Sequence, residues 1–449
     1  MKSLPLLTLT TTLLAASAHA GSTETAPVSK TTDYRAWLDG DYATGDWGGL
    51  RTQLADKGVS FFGNYNAIVA GNPVGGLKHR TTYADDFYFG LRLDLQKLMN
   101  WEGATFSITG VERDGTSVKP TVGSIYEPMQ LVGGQTIFLY QITLEQKFLD
   151  DQFSLKLGRM SAGDDFATSP LYGYYLSNGI DGNIRAALLD TRFSAYPFAV
   201  WGARLRYDPT PEWNAMVGIY QASSTMYDSF RHGIDYGLHS GDGFTLHAQV
   251  GWTPELFKRA VAAPTDGKSI VDPKSASAPA VEMKGMPGHY FLGGWYSSWQ
   301  FPQFGSTSKL DDSFGLYLHA DQMVYQETPG SDQGLTVFST FTYAPQEKIA
   351  LVPLQVSGGA LYRGLIPGRD NDMTIFGVTY GKLSGDYARE VVATGASKPH
   401  EEVVLEGGYR IQPTKWCYLQ PDVQWIINPG GSGAIPNALV VGAQFGLAF

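Results

Sequence analysis

The sequence predicts an all-β fold, a transmembrane antiparallel β-barrel of about 16 strands, with a short N-terminal helix and a loop folded into the pore. Three observations predict it. The last strand ends on an aromatic residue at the chain terminus, runs with a period of two recur along the chain, and their connectors alternate between short and long. The composition agrees, since 53 glycines and 13% aromatic residues accompany only 17% charged residues. Outward apolar and inward polar residues alternate in membrane barrels, so no long apolar stretch is needed.

The final segment, residues 437–449, is the clearest strand. Its odd-numbered positions from Leu439 to Phe449 form one continuous apolar face, and such alternation is typical of a strand. In a soluble protein this strand would leave an apolar edge open to aggregation. A closed barrel in a lipid membrane has no free edge, which explains why an apolar strand can end the chain.

Fifteen further runs show the same alternation, and they bring the count to 16. An even number is what bacterial single-chain barrels require. The predicted strands cover residues 59–69, 87–95, 105–109, 138–147, 153–157, 200–207, 213–221, 243–252, 289–296, 314–324, 335–343, 356–363, 372–381, 402–410, 416–426 and 437–449.

The connectors give a second, independent signal. Short turns at one end and long loops at the other are the outer-membrane arrangement. Residues 253–288, rich in Pro, Ala and Ser, interrupt the alternation, because they fall where a short turn is expected. The predicted short turns are 150–151, 208–212 and 411–415, and the predicted long loops are 113–137, 160–199, 222–242, 382–401 and 427–436.

Charge and cysteine content exclude several classes of function. The formal net charge of −10 argues against nucleic acid as a partner. Cys417 is the single cysteine, so the chain can form neither an internal disulfide nor a structural zinc site built from cysteines. The eight histidines show no ligand spacing such as His-Glu-x-x-His, and we expect no metal and no cofactor.

The N-terminus reads as a secretory signal peptide over residues 1–20. Lys2 is followed by an apolar stretch, and the segment ends in a small-x-small cleavage pattern at Ala20. We therefore expect a periplasmic N-terminal segment at 21–58 and an outer-membrane barrel at 59–449. A short helix is predicted between Asp46, which would cap it, and Gly58, which would end it.

The alternation also assigns side chains to the lumen. An Arg or Lys facing lipid near the membrane centre costs about 2–4 kcal/mol, so charged residues on strands are expected to point inward. Both signs of charge occur, together with amides, and this mixture suits neutral, hydroxyl-rich solutes better than one type of ion. The residues assigned inward are Arg92, Asp94, Glu145, Lys147, Lys156, Arg204, Arg206, His247, Glu406, Arg410, Asp422 and Gln424.

The long segment 160–199 is the predicted constriction. It combines charged and aromatic residues, and aromatic faces can stack on sugar rings while carboxylates and guanidinium groups bond hydroxyls. The alternative is that these aromatics only pack the loop against the barrel wall. The candidates in and beside this segment are Arg159, Asp164, Asp165, Phe166, Tyr172, Tyr174, Tyr175, Arg185 and Trp201.

Several short motifs resemble the OprB-type carbohydrate-selective porins of Gram-negative outer membranes. Their order and spacing extend over nearly the whole mature chain. The matching pieces are Gly45-Asp-Trp-Gly-Gly-Leu-Arg-Thr52 with Lys57-Gly58, Val111-Glu-Arg-Asp-Gly115, Gly158-Arg-Met-Ser-Ala-Gly-Asp-Asp-Phe166, Trp201-Gly-Ala-Arg-Leu-Arg-Tyr207, Gln420-Pro-Asp-Val-Gln424, Asn428-Pro-Gly-Gly431 and Asn437-Ala-Leu-Val-Val-Gly442.

The resemblance implies a 16-stranded passive pore for small sugars such as glucose, with a central constriction of charged and aromatic side chains. It also implies contact with outer-membrane lipid and lipopolysaccharide, and recognition of Phe449 by the barrel-assembly machinery. Monomer and homotrimer both stay open. The loop after Phe166 departs from the family pattern, because some relatives carry cysteines there and this chain has none. The resemblance carries pore-lining roles over to Glu112, Arg113, Arg159, Asp164, Asp165, Arg204 and Arg206.

Three other functions are compatible with some features of the sequence. An outer-membrane hydrolase is disfavoured because no Gly-x-Ser-x-Gly elbow occurs, and Ser306-Thr-Ser-Lys309 lacks the companion motifs of Ser-x-x-Lys enzymes. A structural or adhesive barrel is disfavoured by the charged, aromatic 160–199 loop. A general diffusion porin without sugar preference is the remaining alternative, since the sequence barely separates it from a selective pore.

Overall fold

A computed structural model describes residues 34–262 and 281–449. The predicted signal peptide therefore lies outside the described residues. The strands are β1 (Val59–Val74), β2 (Thr81–Asp94), β3 (Ala104–Gly115), β4 (Ile137–Phe148), β5 (Phe153–Met160), β6 (Val200–Thr210), β7 (Trp213–Ala222), β8 (Gly243–Trp252), β9 (Glu255–Ala262), β10 (Val281–Ser297), β11 (Phe301–Pro302), β12 (Lys309–Leu310), β13 (Ser313–Gln326), β14 (Gly334–Tyr343), β15 (Leu354–Arg363), β16 (Met373–Lys382), β17 (Glu401–Thr414), β18 (Cys417–Ile427) and β19 (Ala438–Ala448). The α-helices are α1 (Tyr34–Leu38), α2 (Leu50–Asp56), α3 (Leu95–Met99), α4 (Lys119–Val122), α5 (Arg185–Leu189) and α6 (Gly385–Ala393).

Sixteen of these strands form one closed antiparallel barrel, which confirms the predicted fold and strand count. They are β1 to β8, β10, and β13 to β19. The barrel closes because β1 pairs on one side with β2 and on the other with β19, so that Tyr65 lies between Phe87 and Leu447. The strand that ends the sequence therefore has no free edge.

The outer face carries the apolar residues that the alternation predicted. Aromatic pairs lie near the short-turn end of the wall, including Trp213 with Trp252 and Phe153 with Tyr207, whose ring centroids are 5.6 and 4.5 Å apart. Such aromatic belts are typical of membrane interfaces. No α-helix in the described ranges is long and apolar enough to cross a membrane. Apolar side chains between 43% and 59% exposed include Val69, Val217, Leu292, Phe376, Leu419 and Val441.

The two ends of the barrel differ as predicted. At one end, here called the turn end, connectors such as 149–152, 211–212 and 415–416 are short. The opposite end, the loop end, holds the long connectors. Part of the 253–288 interruption forms a hairpin at the turn end, where β9 pairs with the first residues of β10.

The N-terminal segment covers the turn end. The short helix predicted there is present as α2, preceded by a 3-10 turn at Trp47–Gly49. Asp46 accepts hydrogen bonds from the backbone and hydroxyl of Thr52, both at 2.9 Å. Gly58 follows the helix with a φ of +93°, and a Cβ there would lie 2.8 Å from the Asp94 carbonyl oxygen. Glycine is therefore required where the helix turns into β1.

Two connectors of the loop end fold into the lumen. The first inward loop is 116–136 and the second is 161–199. The first loop is held by Glu402 on β17, whose carboxylate accepts the backbone N–H groups of Ile125 and Tyr126 at 2.7 and 3.0 Å. The interiors of some membrane barrels are plugged by loops in this way.

The second inward loop packs on the inner wall through aromatic side chains. Tyr175 is fully buried, its ring lies 5.7 Å from that of Phe338 on β14, and its hydroxyl donates to the Phe376 carbonyl at 3.0 Å. Gly377 on β16 permits this approach, since a Cβ there would lie 2.5 Å from Ile180 and 2.6 Å from Tyr175. The loop thus fills one side of the lumen.

We call the inner face of the barrel strands β8, β10 and β13 to β17 the filled half of the lumen, and the inner face of β18, β19 and β1 to β4 the open half. In the filled half, polar wall residues bond to loop backbone. Glu406 accepts the N–H groups of Leu176 and Ser177 at 2.5 and 3.3 Å, and Gln355 accepts the N–H of Ala186 at 2.8 Å. These bonds satisfy backbone groups that would otherwise be buried without partners.

Candidate functional site

A cavity of about 1150 Å³, called the passage below, lies between the open half of the wall and the two inward loops. The strands contribute polar side chains because their inward parity is polar, and the loops contribute the opposite side. The wall residues include Asn64, Asn66, Asp86, Tyr88, Arg113, Tyr140, Tyr418 and Gln444. The loop residues include Gln130, Asp164, Asp181, Asn183, Arg185, Arg192 and Tyr196.

Asp86 on β2 is the best-connected acid of the passage. Its carboxylate accepts hydrogen bonds from the Asn66 amide at 3.1 Å and from the Tyr196 hydroxyl at 2.9 Å. Its Oδ2 also lies 3.9 Å from Nε of Arg113, as an ion pair. Wall and second inward loop are therefore tied together at this carboxylate.

Arg113 on β3 joins the wall to the first inward loop. Its guanidinium donates to the carbonyl oxygens of Gly133 and Gln130 at 2.8 and 3.2 Å. It also lies over the Tyr196 ring, with Cζ 5.1 Å from the centroid. A charged group held in this way by backbone acceptors and an aromatic face has a fixed position, which suits directional bonding to a solute.

A second group of charges lies closer to the turn end. Asp165 of the second inward loop accepts from Lys156 at 3.1 Å and from Arg204 at 3.2 Å, and Arg204 also pairs with Glu145 at 2.9 Å. Lys156, Glu145 and Arg92 line a further lumen cavity of about 320 Å³. The inward assignments of these strand residues agree with the geometry, and the charges are almost balanced in sign.

Three more predicted residues also lie on the lumen side. Asp164 and Arg185 line the passage, and the Asp164 carboxylate accepts the Tyr140 hydroxyl at 2.6 Å. Arg206 shares the inward parity of Arg204, but its guanidinium is paired with Asp208 at 2.6 Å near the end of β6. It is therefore already neutralised and lies away from the passage.

Glu112 and Trp201 were expected to line the pore, but they lie on the outer face. Consecutive strand residues point to opposite faces, so Glu112 faces outward because Arg113 faces inward. Trp201 shares its parity with Leu205, which is exposed on the outer wall, and is itself 41% exposed. Its indole N–H donates to the Tyr236 carbonyl at 3.0 Å.

Arg159 also lies off the passage, beneath the loop-end segment 223–242. Its guanidinium donates to the Asp235 and Ala199 carbonyl oxygens at 2.5 and 2.7 Å. The Asp235 carboxylate in turn organises this segment, and hydrogen bonds from Thr225, then from His239, hold its pKa below the usual range. Arg159 therefore supports a surface loop, contrary to the expected pore-lining role.

Asp94 and Phe166 also lie off the passage, although both were expected to line the pore. Asp94 accepts the N–H groups of Gln96 and Lys97 at 3.1 and 3.2 Å, so it caps α3 at the turn end. Phe166 is fully buried, and its ring lies 5.4 Å from that of His247 on the barrel wall. It packs the loop rather than facing a solute, as the alternative interpretation of the loop aromatics proposed.

Several residues of the passage were not predicted from the sequence. Asp86 and Tyr88 share the parity of Arg92, so the alternation along β2 already contained the signal for them. Asn66 lies on the inward parity of β1 in the same way. Tyr196 had no comparable signal, because a loop has no periodicity that tells which way a side chain points.

The comparisons with known proteins agree with this architecture. The family model for "Carbohydrate-selective porin, OprB family" matches residues 78–449. Porin B of Pseudomonas aeruginosa is 25% identical over 451 residues, covering 90% of each chain, and the putative porin QuiX of Acinetobacter baylyi is 25% identical over 445 residues, covering 92% of this chain and 93% of its own.

A solved structure shows the same fold. The high-pH structure of Pseudomonas putida OprB matches with a TM-score of 0.81 and 25% identity, over 92% of this chain and 99% of that one. The family model covers well over half of the sequence. Its members are channels rather than enzymes. The chain therefore belongs to the OprB family of carbohydrate-selective porins.

Proposed function

We propose that the protein is a passive outer-membrane pore for small carbohydrates, glucose-like monosaccharides, which cross through the passage beside the inward loops. The observation that carries the proposal is the fixed group of Asp86, Arg113 and Tyr196 at the wall of this passage. In this group the Asp86 carboxylate lies 2.9 Å from the Tyr196 hydroxyl and 3.9 Å from Nε of Arg113. Cζ of Arg113 lies 5.1 Å from the centroid of the Tyr196 ring. Sugars present hydroxyls to such charges and an apolar face to such rings.

The polar balance of the passage also favours neutral solutes. Its lining carries acids and bases of both signs, including the ion pair of Asp86 with Arg113 on neighbouring strands, and also the amides of Asn64, Asn66 and Gln444. A passive pore must bind its solute tightly enough to admit it and weakly enough to release it. Millimolar affinity corresponds to about −4 kcal/mol, which two or three net hydrogen bonds and one ring contact can supply.

The orientation follows from the barrel ends. The turn end, with the N-terminal helix and Phe449, would face the periplasm, and the loop end would face the exterior, as in outer-membrane barrels. Residues 1–20 would then be the signal for export, and Phe449 would be available to the barrel-assembly machinery. The apolar outer wall would contact membrane lipid and, at the loop end, lipopolysaccharide.

Single-channel recording tests the proposal. The mature chain is reconstituted in a planar bilayer, and the ionic current is measured while glucose, other monosaccharides, disaccharides and a zwitterion of glucose size are titrated. We expect saturable block by monosaccharides and none by the zwitterion. Steady current without saturable block would favour the alternative, a general diffusion porin. Equal block by the zwitterion would contradict sugar selectivity.

A further inference from the structure

Two histidines and an aspartate meet on the inner wall of the filled half, away from the passage. His289 on β10 lies directly opposite Asp321 on β13 in the strand ladder, and His319 precedes Asp321 by two residues on the same face. They face the lumen, because residues of opposite parity such as Leu292 and Leu318 are exposed on the outer wall. No role in the passage involves them.

Their ligand atoms converge on one point. Oδ2 of Asp321 lies 2.7 Å from Nε2 of His319 and 3.4 Å from Nδ1 of His289, and the three ligand atoms lie within 4.8 Å of one another. In the described part of the chain, this is the one group of three or more such side chains that could hold a metal ion. Two imidazoles and a carboxylate match the donor set of open sites for zinc-like ions.

The surroundings favour metal binding at His319. Its second ring nitrogen, Nδ1, lies 2.8 Å from the hydroxyl of Tyr172, a residue of the second inward loop. Nε2 of His319 donates to the Asp321 carboxylate at 2.7 Å, because a carboxylate oxygen can only accept. A metal ion bound at Nε2 would take the place of that proton, and the neutral ring would then carry its proton on Nδ1 and donate it to the Tyr172 hydroxyl oxygen. Ligating histidines are commonly oriented by such a bond through their other nitrogen.

One member of the group is shielded from solvent and the other two are partly accessible to it. The side chain of His319 has no exposed surface, that of Asp321 is 11% exposed and that of His289 is 29% exposed. Zinc–nitrogen bonds of about 2.0–2.1 Å bring two ring nitrogens to about 3.4 Å. The 2.7 Å between Nε2 of His319 and Oδ2 of Asp321 would have to lengthen by about 0.6 Å in the same geometry. Small side-chain rotations of Asp321 and of His289, the two partly exposed members, can supply both changes.

We propose that His289, His319 and Asp321 form a site for a divalent transition-metal ion of the zinc class, with water at the remaining positions. The imidazole ligands disfavour Mg²⁺ and Ca²⁺, which prefer oxygen donors. Because Tyr172 bonds the buried ligand, an ion held here would also fix the second inward loop to the wall. The proposal is independent of which solute the pore carries.

Metal titration of the refolded full chain in detergent tests the site. Zn²⁺ binding is measured by calorimetry, and Co²⁺ binding by its visible absorption, which reports ligand geometry. We expect one ion per chain with tetrahedral or five-coordinate absorption, without competition from equal Mg²⁺. The variants His289→Gln and Asp321→Asn should each weaken binding at least tenfold. Tyr172→Phe should weaken it by about tenfold, because it removes only the orienting bond.

The matched control is His239→Gln. His239 bonds Asp235 at 2.8 Å in the 223–242 segment and is comparably exposed, but the pair lacks a second histidine. Its substitution should leave the affinity unchanged. Heat-dependent mobility on electrophoresis verifies that each barrel is folded. Binding that is absent in the wild-type chain, or that survives both His289→Gln and Asp321→Asn at full affinity, would overturn the proposal.

Discussion

The two halves of the lumen use the same strand pattern for different purposes. In the filled half, inward polar side chains such as Gln355 and Glu406 accept hydrogen bonds from backbone N–H groups of the second inward loop. In the open half, Asn66 donates to Asp86, and Arg113 pairs with Asp86 and donates to two carbonyl oxygens of the first inward loop. All three residues also line the cavity. The filled half therefore anchors the second inward loop, and the open half lines the cavity that remains beside that loop.

From this difference we expect substitutions in the two halves to have different effects on conductance and on sugar block. A change in the filled half removes packing or backbone anchoring, so it should widen the pore and abolish selectivity together. A change in the open half leaves the width almost intact and alters affinity or ion preference. Changes on the outer wall should do neither.

The largest effect is expected for Tyr175→Ala, which removes the buried ring between loop and wall. Truncating a buried aromatic side chain costs about 3–5 kcal/mol of local packing, and the bond to the Phe376 carbonyl is lost as well. The second inward loop should loosen, so we expect at least a twofold rise in single-channel conductance and loss of saturable sugar block.

Tyr343→Ala is the control for this variant, because Tyr343 is 45% exposed and lies on the outer parity of β14. It should leave the conductance unchanged. If Tyr175→Ala has the conductance and the sugar block of the wild type, the second inward loop does not depend on its packing against the filled half. The distinction between the two halves would then be wrong.

The next largest effect is expected for Arg113→Ala in the open half. A hydrogen bond to a charged group contributes about 1.5–3 kcal/mol, so we expect the affinity for glucose to fall about tenfold or more in block titrations. Asp86 also loses its ion pair, which should raise the preference for cations. The neighbouring Glu112→Gln is the control, and its outward side chain predicts unchanged block. Equal losses in both variants would contradict the placement of the two residues.

A smaller effect is expected for Asp86→Asn, which keeps the shape and removes the charge. The amide can retain one of the bonds to Asn66 and Tyr196, so the affinity for glucose should change only about threefold, the range of one net hydrogen bond. The ion preference should move towards anions, and the reversal potential in a salt gradient measures it. A reversal potential identical to that of the wild type would show that Asp86 does not face the ion path.

The barrel and the part of the site that lies on strands could be predicted from the sequence, because alternation with a period of two tells which side chains point into the lumen and which point outward. It placed Lys156 and Arg204 on the lumen side for that reason. The same rule, applied to β2 and β3, would have included Asp86 and left out Glu112. The direction of Phe166 could not be predicted, since it depends on how the second inward loop packs on distant strands.

The composite group of His289, His319 and Asp321 escaped the sequence for a related reason. Local ligand spacing is visible only when the ligands share one segment, whereas these come from two strands brought together by register. Predicting it requires the ladder pairing of β10 and β13, which a single strand pattern does not contain. The spacing of the histidines led us to expect no metal, and the proposed site departs from that expectation.

The smallest effect is expected for Arg159→Ala, although the sequence placed this residue at the constriction. Its guanidinium bonds the Asp235 and Ala199 carbonyl oxygens beneath the 223–242 segment, so the passage loses no charge and no lining atom. We expect glucose block within twofold of the wild type, together with faster proteolysis of that segment in limited digestion. A tenfold loss of block would mean that the 223–242 segment supports the passage from outside. The division into a filled half, an open half and an inert outer wall would then have to include the loop end as a further support.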